Sequence, residues 1–183
     1  MKTGDVVILT AVEIELSRAI GKSIALWCAY RGRWVNQRSD KQQCQSEVQA
    51  EGIAAEIAFC KATNAPLDLR IDVRPDYDTI YQGWRLDIKA MSFQGPSLKY
   101  LVSKQQLDRH ASCDGYAFFN GKIPEFIFAG YIGRPRMAAM PMVDLGFGLN
   151  YAANPEELLC SELASKAEKL IPPADDEWPD PWE

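Results

Sequence analysis

The chain is poor in histidine: His110 is the only one in 183 residues. It has five cysteines, Cys28, Cys44, Cys60, Cys113 and Cys160, but no Cys-x-x-Cys pair. Zinc sites draw on closely spaced Cys and His, and disulfide frameworks use even sets. Neither is expected here. The thiols are expected to be reduced and mostly packed, as suits the cytosol. A lone histidine also gives triad chemistry little to build on. His110 follows Asp108 and Arg109 in a polar stretch and reads as exposed rather than catalytic. Long apolar runs are missing too. Val6 to Leu9 and Ile24 to Cys28 fall far short of the roughly 20 residues of a membrane span. No basic segment followed by a long apolar region opens the chain, so no signal peptide is expected. A cytoplasmic protein without a membrane partner is the expectation.

Net positive charge is also lacking, at −5. That figure hides an uneven distribution. Asp175, Asp176, Glu177, Asp180 and Glu183 all lie near the C-terminal end. Between Arg18 and Cys44 the bases Arg18, Lys22, Arg31, Arg33, Arg38 and Lys41 face Asp40 alone, with Trp27, Tyr30 and Trp34 interleaved. Such a segment can hold phosphates and stack on bases. It is equally readable as a solvated helix end with buried aromatics. Hydrophobic content of 47% and charged content of 25% are those of an ordinary globular domain. One domain over residues 1–171 is expected, with 172–183 as a flexible, acidic, proline-rich tail.

Local signals divide the body. Val6–Leu9 reads as a short strand or a buried lead-in. Thr10 and Glu13 form a capping box, which starts a helix near Ala11 that runs to about Tyr30. A loop over Arg31–Asp40 leads to a second helix, about Lys41 to Thr63. On its wheel Val48, Gly52, Ile53, Ile57, Phe59 and Cys60 fill one half, and Glu56 falls inside that apolar arc. A carboxylate there is costly unless paired, protonated or metal-bound. Gly52 is expected to let the helix approach a sheet closely. Leu67–Val73 reads as a strand. Ser103–Leu107 reads as a turn or short helix. Gly115–Phe119 and Phe126–Tyr131 read as strands around Asn120-Gly121-Lys122. Arg134–Met140 is a short helix or loop. Asn154 is expected to cap a third helix reaching about Leu170. This order favours an α/β or α+β domain with a central mixed β-sheet flanked by helices.

The stretch from Asp78 to Lys89 is the most informative. Gln82-Gly83 suits a two-residue hairpin turn, since glycine supplies positive φ. That register sets Tyr81 against Trp84, Ile80 against Arg85, Thr79 against Leu86 and Asp78 against Asp87. Strand periodicity puts Lys89 on the face of Asp87, with Leu86 and Ile88 opposite. Two opposed acids destabilise a sheet, so a cation is the natural reason to tolerate them. Two carboxylates with room for water suit Mg²⁺. The lysine can orient or deprotonate an attacking water, or steady charge growing on a phosphate. An exposed hairpin with scattered charges is the plainer alternative, because Asp-x-Lys is a common tripeptide.

Together Asp78, Asp87-Ile88-Lys89, the helical Glu56 and the Lys104-Gln105-Gln106 segment resemble the PD-(D/E)XK nuclease superfamily, in its small phage or prophage forms. The resemblance covers about Glu47 to Tyr131. The literal Pro75-Asp76 dipeptide makes Asp76 a competitor for the first acid; the hairpin register favours Asp78. The resemblance implies a restriction-endonuclease-like core and a metal-dependent deoxyribonuclease. It implies Mg²⁺ or Mn²⁺ bound by Asp78, Asp87 and the Ile88 carbonyl, with Glu56 assisting. Lys89 would position the water, and Gln106 or Gln105 would contact it or the scissile phosphate. DNA is the implied partner, with RNA and a homo-oligomer left open. Two other readings stand beside it. One is a non-catalytic nucleic-acid-binding protein on the same fold. The other is an interaction module that docks a protein partner through the Asp175–Glu183 tail.

Overall fold

The computed structural model describes residues 1–32, 44–69, 76–92, 95, 97–144, 146 and 148–159. Strand β1 is Val6–Ile8 and helix α1 is Ala11–Tyr30. The helix starts at its capping box. The Thr10 hydroxyl accepts the Glu13 N–H at 3.3 Å, and Glu13 Oε2 accepts the Thr10 N–H at 2.6 Å. These bonds satisfy donors that a first helical turn leaves open. Glu13 also accepts Lys61 Nζ at 2.8 Å, and Lys61 donates to the Ile8 carbonyl at 3.0 Å. Lys61 belongs to helix α2, Gln45–Thr63, which ends on Asn64 in the left-handed region at φ 56°. Residues 41–43, the expected start of that helix, lie outside the described residues.

Every residue from Ile53 to Cys60 is buried. A helix buried all round sits between two layers, and α2 does so, between α1 and the sheet. The expected close approach at Gly52 is not there: a Cβ on Gly52 would meet nothing within 4 Å. The tight contact is at Gly21 of α1, where a Cβ would lie 2.5 Å from the Ala50 backbone nitrogen. Helix α2 is therefore close-packed against α1, and it meets the sheet through Phe59 and its neighbours.

The remaining elements are β2 (Thr79–Tyr81), β3 (Trp84–Met91), β4 (Tyr100–Ser103), α3 (Lys104–Arg109), β5 (Gly115–Lys122), β6 (Glu125–Gly133), α4 (Arg134–Ala138), β7 (Met142–Asp144) and β8 (Leu149–Ala153). The main sheet has the order β1-β6-β5-β3-β2. Only β3 and β5 run parallel; the other neighbours are antiparallel. The sheet is thus mixed and flanked by helices, as expected for an α+β domain. Side chains alternate across it. Leu86, Ile88, Ala117 and Phe119 join the core under α1 and α2, whereas Tyr116, Phe118 and Ile132 join a second core with Val102, Leu107 and Met137. That second core lies under a three-stranded sheet of order β4-β8-β7 and the short helices α3 and α4. No described helix is long and apolar enough to cross a membrane.

Three expectations need correction. The turn between β5 and β6 is not Asn120-Gly121-Lys122, because Lys122 already pairs with Glu125 and the reversal falls at Ile123-Pro124. Gly121 stays in the strand, where a Cβ would meet the Glu125 carbonyl oxygen at 2.4 Å. The β7 and β8 strands were not expected; they pair with each other, and β8 pairs also with the distant β4. Asn154 does cap a helical turn, but only a single 3₁₀ turn, Pro155–Glu157. The chain then extends, and Leu159 and Tyr131 exchange backbone hydrogen bonds at 2.7 and 3.1 Å. Sheet pairing has overridden local helix preference there. Residues 160–183, which hold the rest of the expected third helix and the acidic tail, lie outside the described residues. So do residues 70–73 of the expected Leu67–Val73 strand; Leu67–Leu69 have no regular structure.

Candidate active site

The hairpin of β2 and β3 builds the site. Gln82 and Gly83 both have positive φ, 53° and 81°, which matches the twist of the two strands. The register is Tyr81 with Trp84, Ile80 with Arg85 and Thr79 with Leu86. Asp78 stands one residue before that ladder. Its N–H donates to the Leu86 carbonyl at 2.8 Å, and its Oδ2 accepts the Ile88 N–H at 2.7 Å. Asp78 is thereby fixed against β3 beside Asp87. For Ile88, the contact to the acids runs through its N–H.

Asp87 is only 3% exposed. Lys89 Nζ donates to its Oδ1, and Gln106 Nε2 donates to its Oδ2 at 2.8 Å. One strand residue and one helix residue therefore share the Asp87 carboxylate. Glu56, 6% exposed, comes from α2 and is close enough to act on Asp78 electrostatically. Burial first, then the Glu56 and Asp87 charges, push the Asp78 carboxyl well above the usual range, with Lys89 and the Ile88 N–H opposing. Burial pushes Asp87 the same way. The Lys89 charge, with His110 and the Lys89 hydrogen bond added, outweighs it and holds Asp87 below the usual range. Burial pulls Lys89 down, and Asp87 and Asp78 more than reverse this. Burial and charge thus drive the two acids apart, Asp78 upward and Asp87 downward.

The structure separates the competitors. Asp76 accepts Ser112 Oγ at 3.0 Å, in the loop before β5, and is occupied there. Gln106 reaches Asp87, whereas Gln105 is exposed. Lys104 pairs with Asp108 on the outside of α3. Helix α3 is aimed by Ser103, whose Oγ accepts the Gln106 N–H at 3.1 Å. In the basic aromatic segment, Arg18 pairs with Glu15 and Arg31 lies over the Trp27 ring at 5.1 Å. Arg33, Trp34, Arg38 and Lys41 lie outside the described residues.

His110 corrects the sequence reading. It is not a solvated surface residue: its side chain is 30% exposed and Nδ1 lies 3.6 Å from Asp87 Oδ2. That is too long for a hydrogen bond but close enough for electrostatic contact. The signal was its spacing. Four residues after Gln106, it falls on the same side of one helical turn.

The strands around the site are pinned by Arg85 and Asp114. Arg85 donates from Nε and Nη2 to the two Asp114 oxygens at 3.0 Å each, and its N–H donates to Oδ2 at 2.9 Å. Asp114 returns its N–H to the Arg85 carbonyl at 2.9 Å and accepts the Arg134 N–H at 2.8 Å. Beside them Cys113 is buried and pushed up to about 12 by burial and Asp87, so it packs as a thiol and does not supply a thiolate.

Among the described residues no group of three or more His, Cys, Asp or Glu side chains is disposed to hold a metal ion. What the site offers is an acid pair, Asp78 and Asp87, with Glu56 acting on Asp78 from α2. Compared with protein-family models, with curated proteins and with solved structures, the chain matches none of them.

Proposed function

We propose that this chain is a divalent-metal-dependent deoxyribonuclease built on a restriction-endonuclease-like core. The observation that carries the reading is the meeting of Asp78, Asp87 and Lys89 on one hairpin, with Glu56 and Gln106 brought in from two different helices. Five polar side chains, of which Asp87 and Glu56 are buried, meet here from one hairpin and two helices, and buried charges of one sign cost stability. Such clusters of perturbed acids mark functional sites.

The donor chemistry fits a hard cation. Mg²⁺ takes oxygen ligands, commonly one or two carboxylates, and keeps several waters. Asp78 and Asp87 are such a pair, and the upward push on Asp78 is a charge imbalance that a cation relieves. Glu56 would assist. When bound, Mg²⁺ or Mn²⁺ supplies charge neutralisation at the phosphate and a more acidic water. The chain's own residues do the rest. Lys89 donates to Asp87 and stands where it would orient or deprotonate an attacking water, or steady charge growing on the phosphate. Gln106 carries an amide able to donate to a phosphate oxygen, and its bond to Asp87 aims it. The near-complete burial of Asp87 keeps bulk water from screening these charges.

Purified protein is expected to nick or cut plasmid DNA with Mg²⁺ or Mn²⁺ and to stop with chelator. Asp87→Ala and Lys89→Ala are expected to fold, by circular dichroism, and to lose about a thousandfold or more in rate. Cleavage that survives in both variants overturns the assignment. Salt-sensitive DNA binding with no cleavage under any divalent ion would place the chain among non-catalytic DNA binders instead.

A further inference from the structure

Helix α3 brings two side chains to Asp87: Gln106 in its body and His110 at its C-terminal cap. The helix has six residues, Lys104–Arg109, too few to hold a helical shape unaided. Its pose must be set from outside. Ser103 fixes the first turn by accepting the Gln106 N–H. Leu107 buries its side chain in the second core. Apolar burial has no direction of its own, so it sets how deep α3 lies and not how it is turned. The remaining hold is directional. Arg134, at the start of α4, donates from Nη2 to the Leu107 carbonyl at 3.0 Å. That carbonyl lies in the last turn of α3, where a helix leaves acceptors open and favours a cation.

Arg134 is itself tied to the strand that carries the acid. Its N–H donates to the Asp114 carbonyl at 2.8 Å. The Asp114 carboxylate accepts Arg85 Nε and Nη2 at 3.0 Å each, and Arg85 stands two residues before Asp87 on β3. Gln106, next to Leu107 in the chain, donates back to Asp87 at 2.8 Å. The links close a ring through Asp87, Gln106, Leu107, Arg134, Asp114 and Arg85. Within it, Arg134 is the member that joins the far end of α3 to the frame of β3. Its hydrogen bonds go to two backbone carbonyls and to no acid of the site, so it acts through α3.

We propose that Arg134 is a positioning residue of the acid site: by holding the Leu107 carbonyl it sets the angle at which Gln106 and His110 face Asp87. For its effect on cleavage the proposal rests on the nuclease reading; for the pose of Gln106 it does not. Residues that orient a site from behind in this way commonly cost about 10- to 100-fold in activity when removed.

Two-dimensional proton–nitrogen NMR of the full chain reads the pose without any substrate. The Gln106 side-chain amide is assigned by its absence in Gln106→Ala. Arg134→Met keeps an apolar stem and removes the donors. In that variant the Gln106 amide is expected to move to the position of a solvated glutamine, with the backbone signals of Phe119 and Phe128 in the core unmoved. Plasmid cleavage gives the second readout. Arg134→Met is expected to lower kcat about 10- to 100-fold with KM within about twofold. Introduced into a Gln106→Ala, His110→Ala double variant, the same change is expected to lower the rate less than about threefold, because the residues it aims are gone. Should Arg134→Met misfold by circular dichroism, Arg134→Lys, with a charged donor of different reach, carries the same two readouts. An unmoved Gln106 amide in a folded variant overturns the proposal. So does a loss of rate that persists in full without Gln106 and His110. A wild type that cuts no DNA defeats the nuclease reading instead, and the amide position still decides on Arg134.

Discussion

Gln106 donates to Asp87 Oδ2 at 2.8 Å across 19 residues of sequence. The bond joins the crossover helix α3 to the middle of strand β3, and Ser103 sets the angle at which the helix arrives. Gln106→Ala is expected to lower the rate of plasmid cleavage about 10- to 100-fold while leaving the circular dichroism spectrum unchanged. Gln105→Ala, at the exposed neighbouring position, is expected to stay within about twofold of wild type. Equal losses in the two variants would show that α3 matters only as a scaffold.

His110 completes the same helical turn. It helps the Lys89 charge to hold Asp87 ionised. His110→Ala is expected to slow cleavage about tenfold and to cost no more than about 1 kcal/mol of stability. A urea titration beside the rate measurement separates the two effects. A variant with full activity would return His110 to the role of bystander.

Asp78 makes a prediction about pH. Its carboxyl is raised in the folded state by burial, Glu56 and Asp87. A raised acid binds its proton more tightly in the folded chain than in the unfolded one. Stability is then lost as pH climbs from the ordinary carboxylate range toward the folded value. Asp87, held low by Lys89, acts with the opposite sign: its contribution is present above the ordinary range and is lost as pH falls. Asp78→Asn removes the first loss and keeps an oxygen to accept the Ile88 N–H. The variant is expected to be more stable than wild type by about 1 kcal/mol or more near pH 7. That gain should vanish near pH 3, where wild-type Asp78 is protonated folded and unfolded. Urea unfolding at the two pH values measures it, and cleavage should be lost at both.

Two helix glycines should respond in opposite directions. Gly52→Ala places its methyl in open space and gains helix propensity of roughly 0.5–1 kcal/mol. Gly21→Ala gains the same propensity, but the methyl would lie 2.5 Å from the Ala50 nitrogen. Overpacking of roughly 1–3 kcal/mol should win there. Thermal unfolding of the two variants should bracket the wild type, and a stabilised Gly21→Ala would show that α1 and α2 separate easily.

These glycines also show what could be read from the sequence and what could not. The Thr10–Glu13 box and the Gln82-Gly83 turn are settled by residues within three positions of one another, so the start of α1 and the Asp78–Asp87 register were legible. The wheel placed Glu56 inward and it is buried, but so is every residue from Ile53 to Cys60, so the wheel could not single out a buried face. Which glycine meets a neighbour closely depends on the partner surface, and the sequence names no partner. The same holds for His110, whose polar local surroundings said exposed while the distant Asp87 decided otherwise. Leu159 is a further instance: a good helix start at Asn154 yields to Tyr131, which offers backbone hydrogen bonds from β6. The strands β7 and β8 were missed although they pair with each other across a short connection, and β8 gains a second, distant partner in β4.

The crossover that carries α3 between the parallel strands β3 and β5 also sets a timetable. Asp78 and Asp87 are joined by a tight turn, and hairpins of that kind close in roughly 1–10 μs. Gln106 and His110 can arrive only after the β3–β5 ladder zips across a much longer loop, which is slower. The acids are therefore expected to meet before the donors of α3 arrive, and a refolding trace in which Gln106→Ala alters only the slower phase would check that order.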